Sequence, residues 1–319
     1  MNKLEKSLAK KLKDRLKVAR NQNPWLLLFW NEILRSRGRR ELAKYSDIEA
    51  VQRLYHAKVG HYADLEHPTL FSEKLQWLKL HYRDPLMAQC ADKYEVRKFI
   101  EEKGYADTLN EMIEVYDSIV DFDLDRLPDR FVLKATHGSA WNIICQDKGK
   151  INWIPYRLIM KSWLNHNIFW NGREWVYQGL KPRIICEKYL EDVSGQLRDY
   201  KLFCFNGEPV FVQVNQGRNN RRHVQNFYDL NWQLLPFGKD IAPSPDVEIP
   251  RPASLERMLA IAKDLAATFP FARVDFYDVQ GRVIFGELTF FPASGMPDFV
   301  PQSYDAIVGK MLILPKGNH

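Results

Sequence analysis

Phe271-Ala-Arg273-Val-Asp275-Phe-Tyr277, followed after Asp278-Val-Gln-Gly281 by Phe285-Gly-Glu287-Leu-Thr289-Phe-Phe-Pro-Ala-Ser294-Gly295-Met296, reads as two alternating strands joined by a tight turn. Val274/Phe276 and Val283/Phe285 turn apolar side chains one way, while Arg273, Asp275 and Glu287 share the other face. Two carboxylates facing each other across a hairpin form an oxygen-only site, of the kind Mg²⁺ uses when it is bound to nucleotide phosphates. Taken alone, the hairpin also reads as a surface salt-bridge pair.

The chain around it is large enough to build on. Its 319 residues, 45% hydrophobic and 13% aromatic, suffice for two domains or for one large domain with a lobe attached. A net charge of +6 suits an anionic partner without choosing among nucleotide, acidic sugar, membrane surface or nucleic acid. Cys90, Cys145, Cys186 and Cys204 lack CxxC spacing, and they read as small core residues of a reducing cytoplasm. No apolar run approaches the ~20 residues of a membrane span. The basic start lacks the apolar stretch and cleavage site of a signal peptide.

Four segments are expected: 1–45, a basic helical extension; 46–125, a mostly helical lobe or linker; 126–190; and 191–319. In the first, Leu4, Leu8, Leu12 and Leu16 form one stripe among lysines and arginines, followed by Trp25–Trp30. Such a helix can lie on the inner face of an anionic membrane, or dock on its own domain or a twin subunit in a homo-oligomer. Residues 46–118 read as helical, with Ser72 capping a helix that begins Phe71-Ser-Glu-Lys-Leu-Gln-Trp. Asn206-Gly207 marks a hairpin turn, residues 215–226 a polar basic loop, and Ser254–Phe269 an amphipathic helix.

Further groups could serve a nucleotide. Lys134 leaves a strand just before Ala-Thr136-His137-Gly138-Ser139, where it can reach phosphate oxygens while the loop's N–H groups wrap them. The GxxxxGK[ST] spacing of a Walker loop is absent. His137 has no visible partner and reads as a loop or structural histidine rather than a base. Glu187-Lys188-Tyr189-Leu190 ends a buried-looking strand that can offer an adenine edge its backbone, and Lys201 can add charge at the phosphates.

In this order the pieces resemble the ATP-grasp superfamily, with the closer match to its TupA-like family of bacterial surface-polysaccharide clusters. Phe71-Ser-Glu-Lys-Leu-Gln-Trp, Ala91-Asp-Lys-Tyr, Lys134-Ala-Thr-His-Gly-Ser and Gly286-Glu-Leu-Thr-Phe carry the likeness over roughly residues 60–315. The resemblance implies an α+β fold of two lobes gripping ATP, and a ligase that forms a carbon–nitrogen bond through an acylphosphate and yields ADP. It implies that Asp275 and Glu287 hold Mg²⁺, that Lys134 and Lys201 bind phosphates, and that Arg273 stabilises the tetrahedral intermediate. It also implies that the N–H groups around Ser294-Gly295 lie near the reacting carboxylate. The family pattern has Asn where this chain has Thr289, a weaker metal ligand, which leaves the number of ions open.

Arg218, Arg221 and Arg222, among Asn215, Gln216, Asn219 and Asn220, suit an acidic sugar or nucleotide sugar, since guanidinium forks bind carboxylates and amides suit hydroxyls. Three function classes follow: a ligase joining an amino acid or amine to a uronic-acid-type glycan; a glycosyltransferase or other nucleotide-sugar enzyme; and a binder of nucleic acid. The last is weakest, because it leaves the carboxylate hairpin without a role.

Overall fold

The computed structural model describes residues 23–29, 35–191, 197–217 and 224–316. The leucine stripe of residues 1–22 and Arg218, Arg221 and Arg222 therefore lie outside the described residues. The chain forms two compact units. The first takes the described residues up to Tyr45, with Met112–Asn171 and Lys181–Tyr189; the second takes Ser46–Glu111, Gly172–Leu180 and the residues from Leu190 onward.

The first unit holds a four-stranded antiparallel sheet in the order β1-β4-β2-β3, with β1 Met112–Tyr116, β2 Phe131–Ala135, β3 Asn142–Cys145 and β4 Ile184–Lys188. Phe131, Leu133, Ile143 and Cys186 pack with Trp153, Ile159, Met160 and Trp163 of the helix Trp153–Leu164. That helix opens on Asn152, whose side chain accepts from the Ile154 N–H. Leu27 and Leu28, in the short helix Pro24–Phe29, pack against the same core.

The second unit holds a five-stranded antiparallel sheet, β10-β9-β5-β6-β7: β5 Asp199–Phe205, β6 Glu208–Gln216, β7 Val224–Asp229, β9 Phe271–Val279 and β10 Arg282–Thr289. A two-residue ladder pairs β8 Gly238–Lys239 with β11 Phe299–Val300. The helix Leu255–Ala266 covers one face of the larger sheet and buries Leu255, Met258, Ile261 and Leu265 completely or nearly so. Each such side chain contributes about 1.5–3 kcal/mol by leaving water.

Several expectations need correction. Residues 112–118 are not helical; Met112–Tyr116 is strand β1. Ser72 is not a cap: it is buried inside the helix Phe71–His81, where its N–H and hydroxyl donate to Asp305 at 2.9 and 2.5 Å. Glu73 does the capping, accepting from the N–H groups of Thr69 and Leu70 at 3.1 and 3.0 Å. The loop expected over 215–226 is shorter, since β6 runs to Gln216 and β7 starts at Val224. All four cysteines are buried and free, as expected of core residues, and burial pushes the Cys90 and Cys186 thiols up to about 12.

One feature of β10 decides the site. Strict alternation would put Glu287 on the same side as Val283 and Phe285. A β-bulge falls between Phe285 and Glu287, where Phe285 pairs Phe276 and Glu287 pairs Asp275. The extra residue, Gly286, shifts the phase by one and brings Glu287 round to the Asp275 face.

Candidate functional site

In the first unit, β2 and β4 are antiparallel neighbours with Lys134 opposite Ile185 and Val132 opposite Glu187. The lysine thereby reaches diagonally to the carboxylate, and Lys134 Nζ donates to Glu187 Oε2 at 2.6 Å. Thr136, His137 and Gly138 are buried beyond the end of β2, and His137 Nε2 lies 2.9 Å from the Trp163 carbonyl oxygen. His137 is thus a structural residue of the loop. A Cβ on Gly138 would stand 2.4 Å from the Trp141 ring, so only glycine fits there. Ser139 is exposed at the tip. Lys188 is exposed, and Tyr189 accepts from Gln146 at 3.0 Å under the Arg130 guanidinium. Leu190 belongs to the second unit.

In the second unit, register aligns Glu287, Asp275, Lys201 and Gln213 across four strands. Arg273 and Thr289 pair one step along. Arg273 grips Asp275 in bidentate fashion, Nε and Nη2 both at 2.7 Å, and Nη2 also reaches Glu287 Oε1 at 3.2 Å and Thr289 Oγ1 at 3.1 Å. Lys201 Nζ donates to Asp275 and, at 3.0 Å, to Asp199. Lys93 Nζ stands 3.7 Å from Glu287 Oε2.

The cluster shapes its own charge states. Burial alone would raise the Glu287 carboxyl; Lys93, Arg273 and Lys201 override it and hold it down at about 2. Burial likewise would lower the Arg273 guanidinium, and Asp275 and Glu287 raise it instead. Burial pushes the Asp275 carboxyl up against the pull of Arg273 and Lys201.

Whether these oxygens suit a hard cation differs by residue. Asp275 has a side chain 4% exposed and accepts three N–H donors, out of about four lone-pair sites on a carboxylate. Glu287 is 34% exposed, and its cations stand off at 3.2 and 3.7 Å. The donor set of Asp275, Glu287 and Thr289 is all oxygen and fits Mg²⁺ in kind. Glu287 is open to an ion as it stands, and Asp275 becomes so when one of its own cations moves aside. Among the described residues no group of three or more His, Cys, Asp or Glu is gathered for a metal.

Beyond β10 the chain enters a strained turn. Ala293, Ser294 and Gly295 have φ of 53, 58 and 68°, three consecutive residues in the left-handed region. For the two non-glycine residues this costs about 1–3 kcal/mol each and persists only where surroundings enforce it. Here the enforcement comes from the helix Phe71–His81. Gln76 Nε2 donates to the Ser294 and Gly295 carbonyls at 3.1 and 2.8 Å, and Lys79 Nζ donates to the Ser294 carbonyl at 2.7 Å. Gln76 and Lys79 are fully buried. Burial lowers the Lys79 ammonium to about 8, with Glu174 pulling the other way. Glu174 is itself pushed up by burial. Sequence reasoning missed Gln76, Lys79, Glu174 and the contact of Lys93 with Glu287. The signal lay in Phe71-Ser-Glu-Lys-Leu-Gln-Trp-Leu-Lys79, where buried Gln76 and Lys79 interrupt the apolar face of the helix.

A family model described as TupA-like ATPgrasp matches residues 73–313. The chain belongs to the TupA-like ATP-grasp family. This ATP-grasp protein matches no curated protein. Among solved structures it is similar to the D-alanine–D-alanine ligase of Bacillus anthracis complexed with ATP, at 16% identity and a TM-score of 0.39, over 69% of this chain and 61% of that one. It is also similar to the D-alanine–D-alanine ligase of Helicobacter pylori (12% identity, TM-score 0.43, 78% and 68% covered). A third is the L-amino acid ligase of Bacillus licheniformis (11% identity, TM-score 0.43, 77% and 55% covered). The chain spans about three fifths of the length of the first of these ligases.

Proposed function

We propose that this ATP-grasp protein is an ATP-dependent carboxylate–amine ligase. In this reading a carboxylate oxygen attacks the γ-phosphorus and ADP leaves; an amine nitrogen then attacks the acyl carbon, phosphate departs, and an amide remains. The observation that carries the reading is the charged row of Lys201, Arg273, Asp275 and Glu287, joined through β10 to the strained turn Ala293–Gly295. Phosphoryl transfer is largely positioning plus neutralisation of charge on the transferred group, and this row supplies fixed cations for it.

Each residue has a role. Glu287, with Asp275 and Thr289, would hold Mg²⁺, which supplies charge neutralisation on the phosphate oxygens. Lys201 and Lys134 bind phosphates. Glu187, Lys188, Tyr189 and Leu190 serve the adenosine, and the loop of His137, Gly138 and Ser139 covers the phosphates with N–H groups. Arg273 steadies the anionic intermediate, and the turn at Ser294-Gly295 presents N–H groups to the acyl oxygen. The substrates proposed are an amino acid or amine and a uronic-acid-type glycan or nucleotide sugar of a bacterial surface polysaccharide, bound in part by Arg218, Arg221 and Arg222. The reaction belongs on the cytoplasmic side, where ATP is available. Among the described residues no helix is long and apolar enough to cross a membrane, and any membrane contact is proposed for residues 1–45 at the surface only.

Thermal stabilisation separates this from a nucleotide-sugar enzyme. A ligand at about 100 times its Kd adds roughly 2.7 kcal/mol. MgATP is expected to raise the melting temperature and Mg-UDP-glucose is not. A shift with UDP-glucose alone rejects the ligase and puts the glycosyltransferase first.

A further inference from the structure

The amides beside the charged row hold a donor in reserve. On the face of the five-stranded sheet that carries Lys201, β6 sets Gln213 opposite Lys201 and Asn215 opposite Asp199, and β7 sets Gln225 opposite Asn215. Side chains directly opposite each other on one face have Cβ atoms about 4.5–5.5 Å apart, so these groups are neighbours. Asn215 is 1% exposed, and Gln213, Asp199 and Lys201 are buried with it.

The backbone decides which way each amide points. The Lys239 N–H can only donate, and it reaches Gln225 Oε1 at 3.1 Å. Gln225 therefore turns Nε2 the other way, where it donates to Asn215 Oδ1 at 3.2 Å. Gln213 Nε2 donates to the same oxygen at 3.3 Å. With Oδ1 engaged twice, Asn215 presents Nδ2 on its other side. That nitrogen is enclosed, and among the described residues it has no acceptor. A buried N–H held in this way weakens the fold, which points to an acceptor gained in another state.

The neighbour that can become that acceptor is Asp199. Lys201 Nζ directs its donors to Asp199, at 3.0 Å from Oδ1 and 2.9 Å from Oδ2, and to Asp275. An ammonium has three donors, so Lys201 must release one of these contacts to bind a phosphate oxygen. When it does, Asp275 keeps Arg273, whereas Asp199 loses a cation from both its oxygens. A buried carboxylate stripped of its cation is strongly unfavourable unless another donor replaces it. We propose that Asn215 is a positioning residue for Lys201: as Lys201 turns to a phosphate, Asn215 Nδ2 donates to the Asp199 carboxylate in its place. This rests on the reading of the row as the MgATP site. It adds a residue that touches neither nucleotide nor metal, yet lowers the cost of freeing the lysine.

The test is isothermal titration of MgATP into the full chain, as wild type and as Asn215→Leu, each also in an Asp199→Asn background. Asn215→Leu is expected to weaken binding about tenfold, 1.4 kcal/mol. In the Asp199→Asn background, where no carboxylate needs the amide, the same change is expected to weaken binding by less than about twofold, the coupling that marks two groups acting together. A second measurement needs no substitution, and it decides the matter if Asn215→Leu does not fold. In isotope-labelled wild type, MgATP is expected to move the NMR signal of the Asn215 side-chain amide downfield, and Mg²⁺ alone is not. The proposal is overturned by unchanged affinity in Asn215→Leu, by an equal loss in both backgrounds, as a purely structural role would give, or by an Asn215 amide that MgATP leaves in place. Wild type that binds no MgATP overturns the reading of the row, and the role of Asn215 with it.

Discussion

The Lys134–Glu187 pair of the first unit and the Arg273–Asp275–Glu287–Lys201 row of the second are both acid–base contacts on antiparallel sheets, yet they differ in kind. In the first, one lysine meets one carboxylate at 2.6 Å, with side chains 21% and 10% exposed. The second is a network in which Asp275 answers to two cations, and Arg273 binds two carboxylates and a hydroxyl. The Lys134–Glu187 contact opens when a competing anion takes the lysine. A network yields one partner while the others hold the geometry, which is what a metal and a phosphate chain require of residues that must release one ligand to accept another.

The comparison is broken most directly at Asp275. Asp275→Ala leaves Arg273 and Lys201 facing each other with their shared anion gone. Removing one partner of a buried pair costs about 3–5 kcal/mol, and urea denaturation is expected to show a loss of that size. Lys134→Met should cost less, about 1–3 kcal/mol for the lost charge-assisted bond to Glu187, with the second unit's stability unaltered. A loss equal to that of Asp275→Ala would dissolve the distinction.

Acid sharpens it further. Glu287 is held at about 2, below the ordinary carboxylate range. A depressed carboxyl contributes stability that is present above its unfolded value and is lost as pH falls through the folded one. Wild type should therefore lose more stability than Glu287→Gln between about pH 4.5 and 2. Lys79 runs the other way. Its folded value, about 8, lies below that of the unfolded chain. The unfolded state then holds more protons above pH 8, so stability should rise with pH toward 10.5, by at most about 1.4 kcal/mol per unit. Lys79→Met should lack that slope, and denaturation at several pH values would reveal it.

What the sequence disclosed follows the range of the forces involved. The alternation of Arg273-Val-Asp275-Phe announced its strand, because period two is a local signal. The facing of Glu287 with Asp275 was expected, but it depends on the bulge at Gly286, which alternation does not encode. The glycine was the only hint. Met112–Tyr116 was hidden because five residues after a run of helices are too few for a period to declare itself. Gln76 and Lys79 lie more than two hundred positions from the turn they support. Nothing within either segment marks that contact; only the polarity of two residues in an apolar helix face hints that something buried awaits them.

The central claim is that the Glu287 row holds MgATP. The measurement is isothermal titration of ATP into wild type and Glu287→Gln, each with Mg²⁺ and with the ion chelated. Wild type is expected to bind ATP with Mg²⁺ and to lose at least about tenfold, 1.4 kcal/mol, without it. In Glu287→Gln affinity should be low and insensitive to Mg²⁺. Equal Mg²⁺-dependent binding by the two proteins would contradict the account.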